Sequence, residues 1–183
     1  MSAISETSQN VSGEPSIEPC VEPRVVQLIL DTNIWLDWFV FAQTPDSPMA
    51  QLQNCVVNGA QQGAVEYRVL MTPPMWDEWA DVLGRAQFAV APERQAQILA
   101  QTHALVTMMQ TPPTPYTRIR CMDRDDQVFI DVALAYRVDW LISKDRHLLK
   151  LRSRALKQGV RVATPEAWWK YDDVAHMAAR GEE

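Results

Sequence analysis

The run Val25-Val26-Gln27-Leu28-Ile29-Leu30 constrains this chain more than any other feature. It is almost continuous in β-branched and aliphatic side chains, where a strand with one solvated face would alternate with polar residues. A strand of this kind is buried on both faces, so it belongs inside a sheet that helices cover from both sides. Asp139-Trp140-Leu141-Ile142-Ser143 reads the same way, and Tyr67-Arg68-Val69-Leu70-Met71 and Val160-Arg161-Val162-Ala163 add two shorter strands. Helical stretches separate them. Ile34 to Val40 follows the first strand, and Pro48 opens a second helix to about Gln62. Thr72-Pro73 starts a third, with a capping hydroxyl and then proline at the first helical position. That helix carries Met75, Trp76, Trp79, Val82 and Leu83 on one face and ends near Gly84. Pro92 opens a long helix to about Gln110, and Thr111-Pro112-Pro113-Thr114-Pro115 breaks the chain after it. Gln127 to Tyr136 is helical, Asp145 caps a helix that runs to about Lys157, Gly159 stops it, and Thr164-Pro165 starts the last one. Strands alternating with helices predict a three-layer α/β/α sandwich around a central, mostly parallel sheet.

Composition agrees and narrows the class. With 183 residues, 47% hydrophobic and 22% charged, the chain can bury a core without disulfides or a structural metal. Cys20, Cys55 and Cys121 have no ligand spacing, which argues against zinc. No apolar run approaches the ~20 residues of a membrane span. Residues 1–24, rich in Ser, Glu and Pro, read as a disordered leader whose acidic charge is the wrong sign for a signal or transit peptide. The expectation is a cytoplasmic protein with no membrane partner, one domain over 25–170 and a tail over 171–183.

The net charge of −6 sits in the two ends. Residues 24–170 hold 16 basic and 15 acidic side chains, so the body of the protein is compatible with a polyanionic substrate. Seven of those bases, Lys144, Arg146, Lys150, Arg152, Arg154, Lys157 and Arg161, stand against the single acid Asp145. The stretch is either a solvated helix face or a phosphate-contacting surface.

In parallel sheets, ligands bind beyond the carboxyl ends of the strands, and acids gather there in this sequence. Asp31 directly follows the first strand, Asp145 follows the strand ending at Ser143, and Asp123, Asp125 and Asp126 stand at the start of the helix leading into that strand. Glu78 lies three residues after Met75 and four before Val82, on or beside the core face of its helix. Each acid could serve only as a cap or first-turn charge at a helix N-terminus. For the group that reading weakens, because topology brings the acids to one sheet edge and two carboxylates ~4 Å apart repel by about 4 kcal/mol at an effective dielectric near 20. A cluster without basic partners holds protons or binds a hard cation such as Mg²⁺ or Mn²⁺.

The segments Leu28-Ile29-Leu30-Asp31-Thr32-Asn33, Glu78 to Leu83, Asp123 to Ala135, Asp139 to Leu149 and Thr164-Pro165-Glu166 together resemble the PIN domain family (PilT N-terminus-like), over about residues 25–168. The nearest branch is that of VapC-type toxin components of bacterial toxin–antitoxin pairs, with a D-x-D-D-x-x-F helix start. The resemblance implies a metal-dependent ribonuclease hydrolysing phosphodiester bonds in single-stranded RNA, with one or two Mg²⁺ or Mn²⁺ ions. It implies Asp31, Glu78, Asp126 and Asp145 as the catalytic and metal-holding acids, Asp126 being placed by the small Ala133 seven residues on. Thr32, Asn33, Asp123 and Ser143 would support them, and Asp131 is a further acid that more simply marks an outer helix face. Lys144, Arg146, Lys150 and Arg152 become candidate nucleic-acid contacts. A cognate antitoxin and a homodimer are the implied partners, and Trp35, Trp38, Trp76 and Trp79 are expected in packing near the sheet edge or a dimer contact, or in base stacking. The alternative is a non-catalytic module whose acidic cleft takes an antitoxin or RNA.

Overall fold

The computed structural model describes residues 24–58, 65–112 and 119–171. The expected leader and tail therefore lie outside the described residues, apart from Arg24, which starts the first strand, and Tyr171, which ends the last helix. Five strands form one parallel sheet: β1 (Arg24–Leu30), β2 (Val65–Met71), β3 (Val106–Met108), β4 (Trp140–Ile142) and β5 (Arg161–Ala163). Their order is β3-β2-β1-β4-β5. The chain thus winds outward from β1 to β3, returns to the other side of β1 and winds outward again. The reversal falls between β1 and β4, which makes their carboxyl ends the natural ligand-binding crevice.

Eight α-helices occur among the described residues: α1 (Thr32–Phe39), α2 (Pro48–Asn58), α3 (Pro73–Leu83), α4 (Pro92–Leu105), α5 (Gln127–Tyr136), α6 (Arg146–Leu149), α7 (Arg152–Leu156) and α8 (Pro165–Tyr171). Leu28, Ile29 and Leu30 on β1 and Leu141 and Ile142 on β4 are almost fully buried, as their unbroken apolar sequence requires. α8 packs on α2, and its Trp168 meets Tyr67 of β2 edge to face. α3 packs against α1 and α5. Trp35 and Trp79 join Trp38 and Phe39 in an aromatic cluster between α1 and α3. Trp35 and Trp79 are 1% and 0% exposed, so neither can stack on a base.

Three local expectations are corrected. The helix expected to reach Gln110 ends at Leu105, and Val106–Met108 forms β3 on the outer edge of β2, in register with Val69–Met71. Backbone donors and acceptors on that edge select an extended partner, and β-branched Val106 and Thr107 adopt it readily. The helix expected from Asp145 to about Lys157 is two short ones, because Leu151 N–H bonds to the Leu148 carbonyl at 2.9 Å and tightens the turn there. Thr72 precedes α3, but its hydroxyl makes no cap bond; Pro74 in the second helical position removes one of the N–H groups it could bind. Thr164 does cap, accepting from Ala167 N–H at 3.2 Å.

Candidate metal centre

Asp31 is the first residue past β1, and its N–H bonds to the Ile142 carbonyl of β4 at 3.0 Å, so the two strand ends are locked side by side. The turn places Asp31 before α1, but its carboxylate makes no cap bond. Oδ2 instead accepts from Ser143 Oγ and Asn33 Nδ2, both at 2.5 Å. Ser143 is fully buried, and its Oγ also accepts from Asp145 N–H at 2.8 Å. Asn33 closes the other side, its Oδ1 accepting from Lys144 N–H at 3.1 Å. Thus Asn33 and Ser143 tie the end of β1 to the β4–α6 turn through Asp31.

Thr32 hydroxyl donates to Glu78 Oε1 at 3.0 Å and carries α3 into the same site. Glu78 is half-buried on the helix face next to Met75, Trp79 and Val82, as its spacing predicts. Asp145 caps α6, with Oδ1 accepting from His147 N–H at 2.5 Å and Leu148 N–H at 3.3 Å. The cap role that the sequence allowed for Asp145 is therefore real, and it coexists with proximity to the other acids. Asp126 precedes α5 without capping it. Gln127 fixes the approach to this helix: its Oε1 accepts from Cys121 N–H at 2.7 Å, and its Nε2 donates to the Ile119 carbonyl at 3.1 Å and to Asp131 Oδ1 at 3.0 Å. Asp123 Oδ1 accepts from Asp125 N–H at 3.0 Å and shapes the same loop.

The electrostatics record how closely these acids stand. Burial pushes Asp31 up from 3.8 to about 6, against the lowering effect of the Ser143 and Asn33 hydrogen bonds and helped by the charge of Asp145. Burial also raises Asp126, to about 7, with the charges of Asp31, Asp145 and Asp123 adding to it. Asp126 and Asp145 are hydrogen-bonded to each other, and the proton stays on Asp126. For Asp145, burial opposes ionisation but is outweighed by the N–H groups of His147 and Leu148, and its pKa falls. Glu78 is raised by burial and by Asp31 and Asp125, with Thr32 opposing.

Asp31, Glu78, Asp126 and Asp145 thus stand near enough to act on one another's charge, with Thr32, Asn33 and Ser143 as hydrogen-bond partners and Asp123 beside Asp126. Two features escaped the sequence reading. A ligand atom on each of Asp123, Asp126 and His147 lies within 4.8 Å of the other two, and His147 carried no signal beyond its place two residues after a cap. Lys144 forms an ion pair with the largely buried Asp37 of α1, a partner that no local pattern announces. All four candidate nucleic-acid contacts are exposed: Lys144 in the β4–α6 turn, and Arg146, Lys150 and Arg152 on α6, α7 and the turn between them. Arg152 lines a cleft of about 410 Å³ beside β5, with Trp140, Leu156, Arg161 and Tyr171.

The carboxylates of Asp31, Glu78, Asp123, Asp126 and Asp145 offer hard oxygen donors; burial and mutual repulsion leave a proton on Asp126 up to about pH 7 and on Asp31 up to about pH 6. This chemistry fits a divalent cation, which would take the place of those protons.

A family profile described as PIN domain matches residues 27–147. No curated protein matches the chain. Among solved structures, the crystal structure of PAE2754 from Pyrobaculum aerophilum is similar at 13% identity and a TM-score of 0.43, covering 85% of this chain and 98% of that one.

Proposed function

The chain belongs to the PIN domain family, a nuclease fold, and on that premise we propose that it is an Mg²⁺- or Mn²⁺-dependent endoribonuclease acting on single-stranded RNA. What supports this best is the proximity of Asp31, Glu78, Asp126 and Asp145 at the reversal between β1 and β4, where burial and neighbouring charge raise Asp31 to about 6 and Asp126 to about 7. A divalent ion bound there would supply a Lewis acid that activates water and offsets charge developing on the phosphate. Asp31, Asp126 and Asp145 would hold it, and Glu78 would complete the site. Ser143 and Asn33 hold Asp31 in one orientation, Thr32 does so for Glu78, and Asp123 stands within ligand reach of Asp126. Arg146, Lys150 and Arg152 would meet the RNA backbone. Lys144, paired with Asp37 but still exposed, would join them. Resemblance to the family supports products with 5′-phosphate and 3′-hydroxyl ends, a toxin role in the cytoplasm, a homodimer and an antitoxin that inserts a base among the carboxylates.

The test is cleavage of a labelled single-stranded RNA pool by wild type and Asp31→Asn, each with Mn²⁺, Mg²⁺ or EDTA. Metal-dependent cutting lost in the variant is the expected result. No cutting by folded protein freed of any co-purified partner would overturn the reading in favour of a binding module. No membrane-spanning helix occurs among the described residues.

A further inference from the structure

We propose that His147 is a ligand of the divalent ion in this centre, so that the site sets a nitrogen donor beside its carboxylates and takes Mn²⁺ in preference to Mg²⁺. The proposal rests on the metal-dependent reading above but concerns which side chains hold the ion. The first observation is the geometry: His147, Asp123 and Asp126 each present a ligand atom within 4.8 Å of the other two. Donors sharing one first-row ion at ~2.0–2.2 Å stand up to ~4.4 Å apart, so small side-chain rotations bring the three onto a common ion. The second is the state of the ring. Nδ1 of His147 is buried and has no hydrogen-bond partner. Asp145 Oδ1 is 3.8 Å away, beyond hydrogen-bond reach, and already accepts the N–H groups of His147 and Leu148. The ring is a third exposed, but its buried Nδ1 lacks a hydrogen-bond partner, and a cation among those carboxylates supplies one.

The backbone makes the placement firm. His147 N–H is bound by the same Asp145 that caps α6, so the imidazole leaves the turn that carries one of the acids. Mg²⁺ prefers an all-oxygen shell and sheds water reluctantly, whereas first-row transition ions accept imidazole. The competing use of the ring is as a cation held against Asp123 and Asp126, which would leave any bound ion with oxygen donors alone.

The experiment uses full-length protein stripped of metal with EDTA and exchanged into metal-free buffer. Calorimetric titration gives the affinities for Mn²⁺ and for Mg²⁺, and pulsed electron paramagnetic resonance of the Mn²⁺ form reads nitrogen bound directly to the ion. Wild type is compared with His147→Gln and His147→Ala, neither of which alters the backbone cap, and circular dichroism checks that each is folded. The expected result is a nitrogen coupling in wild type that disappears in both variants, with Mn²⁺ affinity falling about tenfold or more and Mg²⁺ affinity changing little. Bound Mn²⁺ without nitrogen coupling in wild type, coupling that persists in the variants, or equal losses for both ions in folded variants would each overturn the proposal. Failure of wild type to bind either ion would sink the metal reading and this proposal together. Nitrogen coupling in a protein that cuts no RNA would leave His147 as a ligand and remove only the nuclease.

Discussion

Replacing Asp31 with Asn should make the metal-free protein more stable at pH 8, although it removes a group that the proposed activity needs. Asp31 is 3% exposed, and burial raises its pKa from 3.8 to about 6. Well below pH 3.8, at about pH 3 and lower, the carboxyl is protonated in the folded and unfolded chains alike, and it has little effect on stability. As the pH rises toward 6, the unfolded chain ionises while the folded one keeps its proton, so the folded state binds more protons and stability falls with rising pH. Above pH 6 the folded carboxyl is also charged and the loss levels off. A shift of about two units corresponds to ~3 kcal/mol. Asn keeps an acceptor for the donors of Ser143 and Asn33 but cannot ionise. The variant should therefore gain up to ~3 kcal/mol over wild type at pH 8 in EDTA, a gain that shrinks toward zero at about pH 3. Urea unfolding followed by circular dichroism from pH 4.5 to 8 measures it, provided the transition is two-state. Mn²⁺ should close the gap and then reverse it, since an ion at a hundred times its Kd adds about 2.7 kcal/mol to the protein that binds it and at a thousand times about 4.1 kcal/mol. A variant no more stable than wild type at pH 8, or one whose advantage does not change with pH, would refute the burial-and-repulsion account of Asp31.

Ser143→Ala removes a donor to Asp31 and an acceptor for Asp145 N–H in one step. It should destabilise the protein by about 1–3 kcal/mol in urea unfolding and weaken Mn²⁺ binding in calorimetry, whereas the exposed Ser153→Ala should do neither. Reversing Lys150 and Arg152 together to Glu should weaken binding of single-stranded RNA by an Asp31→Asn background protein and flatten the log–log salt dependence by roughly 0.7 per lost phosphate contact. An unchanged slope in filter binding would return these side chains to ordinary solvated surface.

How much of this was legible in the sequence depends on how local each cause is. Asp31 and Asp145 could be placed because the first directly follows, and the second stands three residues beyond, a strand whose apolar run marks where it ends. Glu78 could be placed because its distance from Met75 and Val82 fixes its helix face. β3 could not be read, because Val106-Thr107-Met108 follows a helix with no breaker before it; the open edge of β2, a partner far away in sequence, decides its conformation. Thr72-Pro73 and Thr164-Pro165 look alike as helix starts, yet only the second hydroxyl caps, and the only local warning is the second proline at 74. The Lys144–Asp37 pair and the approach of His147 to Asp123 and Asp126 were invisible for the same reason as β3, since each joins two separate elements.

The structure also divides labour between neighbouring acids that the sequence leaves equivalent. Asp145 receives two backbone N–H groups from α6 and stays ionised; Asp126 receives none, faces Asp31, Asp145 and Asp123, and keeps a proton up to about pH 7. One member of the pair is thus a permanent anion and the other is charged only when a cation takes its proton's place. Ion uptake must then release protons, chiefly from Asp126 at pH 6.5, and increasingly from Asp31 as well toward pH 5.5. Titrating Mn²⁺ into the protein in buffers of different ionisation enthalpy counts those protons. The number should rise as pH falls from 8 to 5.5 and should drop in Asp126→Asn. A count near zero at every pH would mean that the ion binds somewhere other than among these carboxylates.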